Sequence, residues 1–579
     1  MKHTPILPVQ NKRNIIVTSA LPYVNNEPHL GNLIGCMLSS DAYARYARLM
    51  DYNVIYISGT DNYGTATERK ALEEKKTPKE ICDYYHNIHA NIYSWFDCSF
   101  DYFGRTNTEK HTEICQDLFL KLYDNDMLIE NTTQQHYCST CSQFLADRFL
   151  KGTCPFCKYD DARGDQCDKC SKTYESSILI SPICNLCNKQ PELKETTNLY
   201  LDFPTIMEST LNTWITTNSK NNCWSNNAKH ITNDWIKIGL KPRCITRDLK
   251  WGVPVPLSQY TDKVLYVWFD APIGYMSIIA NYIGDERWTK WWNYDNNSDI
   301  ELVQFMGKDN VQFHTIMFPS ILLGGNGNFN IKYNISATEF MNYENGLKFS
   351  KSKGTGIFAN DAIESGISVD IWRYYLLMNR PENGDTSFDW EDFAFKINNE
   401  LINNLGNLCS RVLKPAYTKH DQRVPTFNQN ELTENDIAIL KKSYDAVNDY
   451  KNKFENIEIK SALKIVMDLC ANYNKYVQDE KPWVTINRSH VIYSILLNLL
   501  KLVSILMEPF IPSFSKKINI ILGSNNGNIL LSTILENDIM FLTTLLLPGQ
   551  KLNNPGSWIL FKKITTEEIA TYRSKWSKL

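Results

Sequence analysis

Two periods of apolar residues run through this chain. In its first hundred residues, short unbroken apolar runs alternate with stretches whose apolar positions recur every three or four residues. "NIIVTSA" (Asn14–Ala20) and "NVIYISGTD" (Asn53–Asp61) are brief and rich in β-branched residues, as parallel strands buried on both faces are. Between them, "NLIGCMLSSDAYARYARLM" places Leu33, Met37, Tyr43, Ala44 and Ala47 at helical spacing, and the charged "TATERKALEEKK" reads as a second helix. Such alternation predicts a parallel sheet with crossover helices. Ligands then gather at the carboxyl ends of the strands, near "PHLGN" and "GTDNYG". The alternation stops at a cysteine-rich segment, about residues 131–200. It resumes at "VLYVWFDA" (Val264–Ala271) and "ELVQFMGKD" (Glu301–Asp309), both read as strands. One sheet split by an insertion is the simplest architecture. From about Asn398 the pattern is helical nearly throughout, which predicts a helical domain.

These breaks set the expected boundaries. Residues 1–130 and 246–335 are the two halves of the sheet domain, 131–245 the insertion, 336–397 a connecting region and 398–579 the helical domain. A chain of 579 residues is too long for one core. Composition is that of an ordinary globular protein, and the net charge of -3 means that any nucleic acid must be held by a local surface. The start "MKHTPILPVQNKRN" lacks the apolar core of a signal peptide, and no run of about 18 apolar residues marks a membrane span, so no membrane partner is expected.

Half of the 16 cysteines fall in four C-x-x-C pairs, which without a secretory leader points to metal thiolates rather than disulfides. Cys154, Cys157, Cys167 and Cys170 suit one tetrahedral zinc site, with Cys138, Cys141, Cys184 and Cys187 flanking them as an outer site. Sequential pairing, first two units together and last two together, is equally compatible with the spacing. Either arrangement closes the metal's coordination sphere and is structural rather than catalytic. Cys36, Cys409 and Cys470 lie in apolar or helical stretches and read as packing residues.

Two further stretches suggest phosphate chemistry. His29 and Asn32 in "PHLGN" lie at a helix start, where backbone N–H groups favour an anion. Lys348, Lys351 and Lys353, with Ser350, Ser352 and Gly354, make "LKFSKSKGTGI" (Leu347–Ile357) a cationic loop suited to a leaving pyrophosphate. Taken singly, each reads as a helix cap or a solvated basic loop. Their joint placement on one sheet gives them weight.

"HLGN" and "KFSKS" resemble the two signature motifs of class I aminoacyl-tRNA synthetases. "ALPYVNNEPHLGN", "GTDNYGTATE", "YVWFDAPIGYM", "GKDNVQFH" and "YENGLKFSKSKG", in this order, resemble the methionyl-tRNA synthetases of the cytosolic eukaryotic kind. The likeness spans nearly the whole chain. It implies an α/β fold, a Rossmann-type parallel sheet split by a zinc-binding insertion and followed by an α-helical bundle that binds the anticodon. It also implies ATP, L-methionine and tRNA(Met) as partners, Mg2+ with ATP, zinc in one or two structural sites, a cytoplasmic location and a monomer.

By the same resemblance, His29, Gly31, Asn32, Gly307, Asp309 and Lys351 bind ATP, and His29, Asn32, Lys348 and Lys351 carry catalysis. Ala20, Leu21, Tyr23, Asp61, Trp268, Ala271, Pro272, Tyr275 and His314 form the methionine pocket. Asp61 would meet the α-ammonium, while Trp268 and the tyrosines wrap the thioether. Asn403, Asn407, Arg411 and Trp483 read the anticodon, Trp483 by stacking on an unpaired base. Two positions depart from the family. Asn32 stands where many class I members have histidine, and still donates a hydrogen bond. Phe349 stands where methionine is usual, and is expected to pack beneath the loop.

Three other readings fit less well. Synthetases for branched aliphatic residues typically carry a large editing insertion, and this one is small. A cysteine enzyme wants an open thiolate-binding zinc. A silent RNA-binding relative would have lost His29 or Lys351. The terminal Ser577-Lys578-Leu579 matches a peroxisomal address, read here as coincidental.

Overall fold

The computed structural model describes residues 4–576 apart from 146–148, 165, 168, 171, 173, 175, 293–298, 327–330, 352–353 and 525–528. Ser352, Lys353 and the terminal Ser577-Lys578-Leu579 therefore lie outside the described residues.

Strands of two sheets frame the molecule. β1 (Asn14–Ser19), β2 (Asn53–Thr60) and β3 (Tyr102–Arg105) open it. β4 (Leu128–Cys138), β5 (Glu192–Leu201) and β6 (Arg243–Cys244) belong to the insertion. β7 (Ile300–Gly307) and β8 (Lys332–Thr338) return to the first sheet. That sheet has the order β8–β7–β1–β2–β3, every pair parallel. Growth runs outward from β1 in both directions, so the carboxyl ends of β1 and β7 flank the topological switch point where open α/β sheets admit ligands.

Alternate residues of each strand enter opposite cores. Ile15, Val17, Val54, Tyr56, Val303 and Phe305 face one, and Ile16, Ile55, Ile57, Leu302 and Met306 the other. Burial on both sides is why these strands read as unbroken apolar runs. The segment "VLYVWFDA" is the exception. Only Val264–Leu265 is strand, and a helix occupies Val267–Ile283. That helix is apolar on nearly every side and buried between layers, which erases the amphipathic period; Asp270 in its first turn and Gly284 at its C-cap are the helix signals that remain.

β4 and β5 form a long antiparallel hairpin in register from Leu128↔Leu201 to Tyr137↔Glu192, with the cysteine knuckles at its far end. β6 joins the near end, Arg243 opposite Leu201.

The C-terminal region is a helical bundle whose core is continuous with one face of the sheet. Its central helix, within Ile486–Met507, is long and apolar enough to cross a bilayer, unlike the sequence expectation, yet it is almost wholly buried inside the bundle. Sheet domain and bundle are also joined by buried charge. Arg373 donates to Asp41 at 2.7 Å and to the Phe96 and Phe510 carbonyls at 2.8 and 2.7 Å. Burial alone would raise the Asp41 carboxyl, but Arg45 and Arg373 together hold it down at about 2. Glu455 ties Arg13 at 2.6 Å to the hydroxyls of Tyr46 and Tyr52, each at 2.8 Å.

Candidate active site

After β1 the chain turns through Pro22 and Pro28 to His29, the N-cap of a helix that begins at Leu30. His29 Nδ1 accepts from the Asn32 N–H at 3.3 Å, and the Asn32 side-chain oxygen accepts from the His29 N–H at 3.1 Å, a closed capping box. An accepting Nδ1 leaves the neutral imidazole's proton on Nε2. Burial pushes the His29 pKa down to about 4, so the ring is uncharged at neutral pH and still a donor.

His29, Gly31 and Asn32 line a cleft of about 450 Å³ together with Gly307, Asp309, Lys348 and Phe349. Two of its glycines are there for space. A Cβ on Gly31 would come within 3.0 Å of the His29 ring and the Met341 carbonyl, and one on Gly307 within 2.7 Å of Asp309 Oδ1. Lys351 stands at the margin, paired with Glu27 of the cleft wall at 3.0 Å. Phe349 does more than pack beneath its loop: it stacks on the His29 imidazole. Gly356, at φ +99, leaves room for that ring, since a Cβ there would run into it. Cys36, expected to be a packing residue, lines this cleft and is only partly buried, whereas Cys409 and Cys470 are fully buried.

A smaller pocket of about 50 Å³ adjoins the cleft and shares Ala20, Leu21, Tyr23 and Asn310 with it. Its lining brings together all of Ala20, Leu21, Tyr23, Asp61, Trp268, Ala271, Pro272, Tyr275 and His314, plus Val267, Asn310 and Phe313. Asp61 is 3% exposed, and its Oδ1 makes no hydrogen bond among the described residues. Burial, then the nearby Asp270, raises its pKa well above the carboxylate range. His314 Nδ1 donates to the Asn310 carbonyl at 2.8 Å, so its Nε2 accepts from the Tyr275 hydroxyl at 2.7 Å. Burial lowers His314 to about 4 and keeps it neutral.

The cysteines are nested. Cys138, Cys141, Cys184 and Cys187 form one cluster, and Cys154, Cys157, Cys167 and Cys170 another. Sulfurs across each lie 3.5 and 3.9 Å apart in the outer cluster, 3.9 and 3.6 Å in the inner. A tetrahedron of sulfurs about 2.3 Å from zinc has edges of about 3.8 Å, whereas a disulfide needs about 2 Å. The donor set fits zinc, and the sequential pairing falls away.

In the bundle, Asn407 donates to Asn474 at 3.2 Å and Arg411 to Gln478 at 2.7 Å, while the Arg411 guanidinium lies 5.9 Å from the Trp483 ring centre. Trp483 is 43% exposed and so is not a core residue. Asn403 is exposed one turn away, bonded to Asn399. Asn474 was not singled out by sequence; nothing in its spacing marks it. Glu27 and Asn310, given no role from sequence, lie within the quoted stretches "ALPYVNNEPHLGN" and "GKDNVQFH". Three site-bearing helices contain π segments, at Leu33–Met37, Phe313–Met317 and Lys396–Gly406, a local widening that sequence periodicity does not reveal.

A parallel sheet split by an insertion, with its cleft at the switch point, and a following helical bundle define a class I aminoacyl-tRNA synthetase. Residues 15–413 match the family described as "tRNA synthetases class I (M)", and residues 424–579 match the "Anticodon binding domain of methionyl tRNA ligase". The chain belongs to the methionine–tRNA ligase family. It is 52% identical to the "Probable methionine--tRNA ligase, cytoplasmic" of Dictyostelium discoideum over 89% of this chain and 70% of that protein. It is 48% identical to the cytoplasmic enzyme of Arabidopsis thaliana, over 100% and 73%, and 45% identical to that of Saccharomyces cerevisiae, over 99% and 75%. A solved structure of Mycobacterium tuberculosis methionyl-tRNA synthetase in complex with methionyl-adenylate shares the fold, with a TM-score of 0.76 at 22% identity, covering 95% of this chain and 100% of that one.

Proposed function

We propose that the two joined pockets are the methionine-activating centre of a methionine–tRNA ligase, with ATP in the cleft and L-methionine in the smaller pocket. The observation that carries this is the adjacency of a buried carboxylate oxygen without a partner, on Asp61, to a cleft walled by neutral donors at His29 and Asn32. Asp61 takes the α-ammonium, while Trp268, Tyr275 and His314 enclose the thioether. The methionine carboxylate attacks the α-phosphorus, and pyrophosphate leaves. His29 Nε2–H, Asn32 and Lys348 hold phosphate oxygens, Gly307 and Asp309 face the adenosine, and Lys351 leaves Glu27 to neutralise the departing pyrophosphate. Mg2+ carried by the phosphates of ATP would supply further charge neutralisation there. No side chain acts as a nucleophile; rate comes from alignment and charge stabilisation. The 2′-hydroxyl of the terminal adenosine of tRNA(Met) then attacks the adenylate carbonyl, and AMP leaves.

The readers of the anticodon are Asn403, Asn407, Arg411 and Trp483. Each cysteine cluster holds one zinc ion, structural in role. We place the enzyme in the cytoplasm, as a monomer with the domain boundaries set out from sequence. Pyrophosphate exchange into ATP, with each of the twenty amino acids offered singly and without tRNA, tests the central claim. Exchange with methionine alone supports it. Exchange with another amino acid refutes the pocket assignment, and none at all, from folded protein, refutes the activation step.

A further inference from the structure

We infer that Arg243, a residue of the insertion, is a positioning residue for the methionine pocket, acting by stacking on Trp268; this rests on the pocket reading above. The Arg243 guanidinium lies 4.1 Å from the centre of the Trp268 ring. The juxtaposition is built by the backbone. Thr246–Arg247 pairs antiparallel with Val264–Leu265, Thr246 opposite Leu265, and the Tyr266 N–H continues the ladder to the Ile245 carbonyl at 2.8 Å. Just past that bond the chain turns into the helix at Val267, which brings Trp268 of its first turn against Arg243. In the same ladder Arg247, opposite Val264, covers the Tyr266 ring at 3.9 Å.

Trp268 needs such support. It lies in the first turn of its helix, only partly buried, with Tyr266 and Phe313 touching it from the sides at 5.2 and 5.1 Å between ring centres. A planar cation on one face removes the indole's freedom to swing, leaving the ring fixed as a wall of the pocket. Arg243 is anchored in turn by β6, which pairs with β5 beside the start of the hairpin. The Arg243 side chain therefore carries the insertion to Trp268 in the pocket wall, at the end of the hairpin opposite the cysteine clusters.

Steady-state pyrophosphate exchange on the full chain tests this with Arg243→Gln, Arg243→Lys and Asp61→Asn, alongside thermal melts. Arg243→Gln should raise the methionine KM roughly threefold to tenfold and narrow the preference for methionine over ethionine, with the ATP KM unchanged. Arg243→Lys, which keeps the charge but not the plane, should fall between it and the parent. An unchanged methionine KM in Arg243→Gln, or an ATP KM raised by the same factor, overturns the proposal. Should Arg243→Gln fail to fold, Arg243→Lys decides by the same two constants. Asp61→Asn without effect on the methionine KM removes the pocket reading itself, and the role of Arg243 with it.

Discussion

His29 and Phe349 lie ring on ring, their centroids 4.6 Å apart and their planes 6° from parallel. One comes from "PHLGN", in the segment that follows β1, and the other from the basic loop more than three hundred residues later, so the stack ties these two segments together. Phe358 meets the same imidazole edge-on at 6.2 Å. Such a pair contributes about 0.5–1.5 kcal/mol beyond its buried area. Phe349→Ala is therefore expected to lower the exchange rate roughly threefold to tenfold at saturating methionine. Phe349→Met should retain most of it. Equal rates for Ala and the parent would show that the stack does not position His29.

The buried histidines set an acid limit. His29, His89 and His314 are each lowered by burial to about 4, against an ordinary value of 6.5. Between those values the unfolded chain takes up protons that the folded chain does not, so the histidines' contribution to stability falls as pH drops from about 6.5 to about 4, and is constant above. The apparent melting temperature, followed over that range, checks the slope. Because His29 donates as a neutral ring, kcat/KM for ATP should decline only below about pH 5. A break near 6.5 that His29→Gln abolishes would refute the neutral donor.

Asp61 predicts a proton signal. Burial, with Asp270 close by, raises its pKa, and a bound ammonium would bring it down again. Methionine binding should therefore release protons, and affinity should rise with pH. Calorimetry of methionine binding in buffers of different ionisation enthalpy measures the release directly, and no buffer dependence at neutral pH would contradict this reading.

The two cysteine clusters share no ligand. Metal analysis of the purified chain should find two zinc ions, and Cys154→Ser with Cys157→Ser should retain the outer one. Loss of both ions from that double variant would sink the idea that the sites are separate.

Trp483 presents an exposed ring beside Arg411. Stacking on one base contributes about 1–3 kcal/mol, so Trp483→Ala should raise the KM for tRNA on the order of tenfold to a hundredfold. Exchange without tRNA should not change. A matching loss in both assays would place the defect in the fold.

Local pattern carried much of this protein. Two-sided burial wrote β1, β2 and β7 into the sequence as apolar runs, and the C-x-x-C spacing named the cysteines of both clusters, because both signals are confined to a few neighbouring residues. Short motifs marked His29, Asn32 and the basic loop for the same reason. What the tertiary structure alone decided are relations between distant segments. The nesting of the cysteine clusters depends on the register of β4 against β5. The helix at Val267–Ile283 was masked because burial on every side removes its period. The stack of Phe349 on His29, the hold of Arg243 on Trp268 and the pairing of Lys351 with Glu27 each join residues that no spacing connects. These contacts exist only once the sheet order is set, since it is the parallel crossover topology that brings the ends of β1 and β7 side by side.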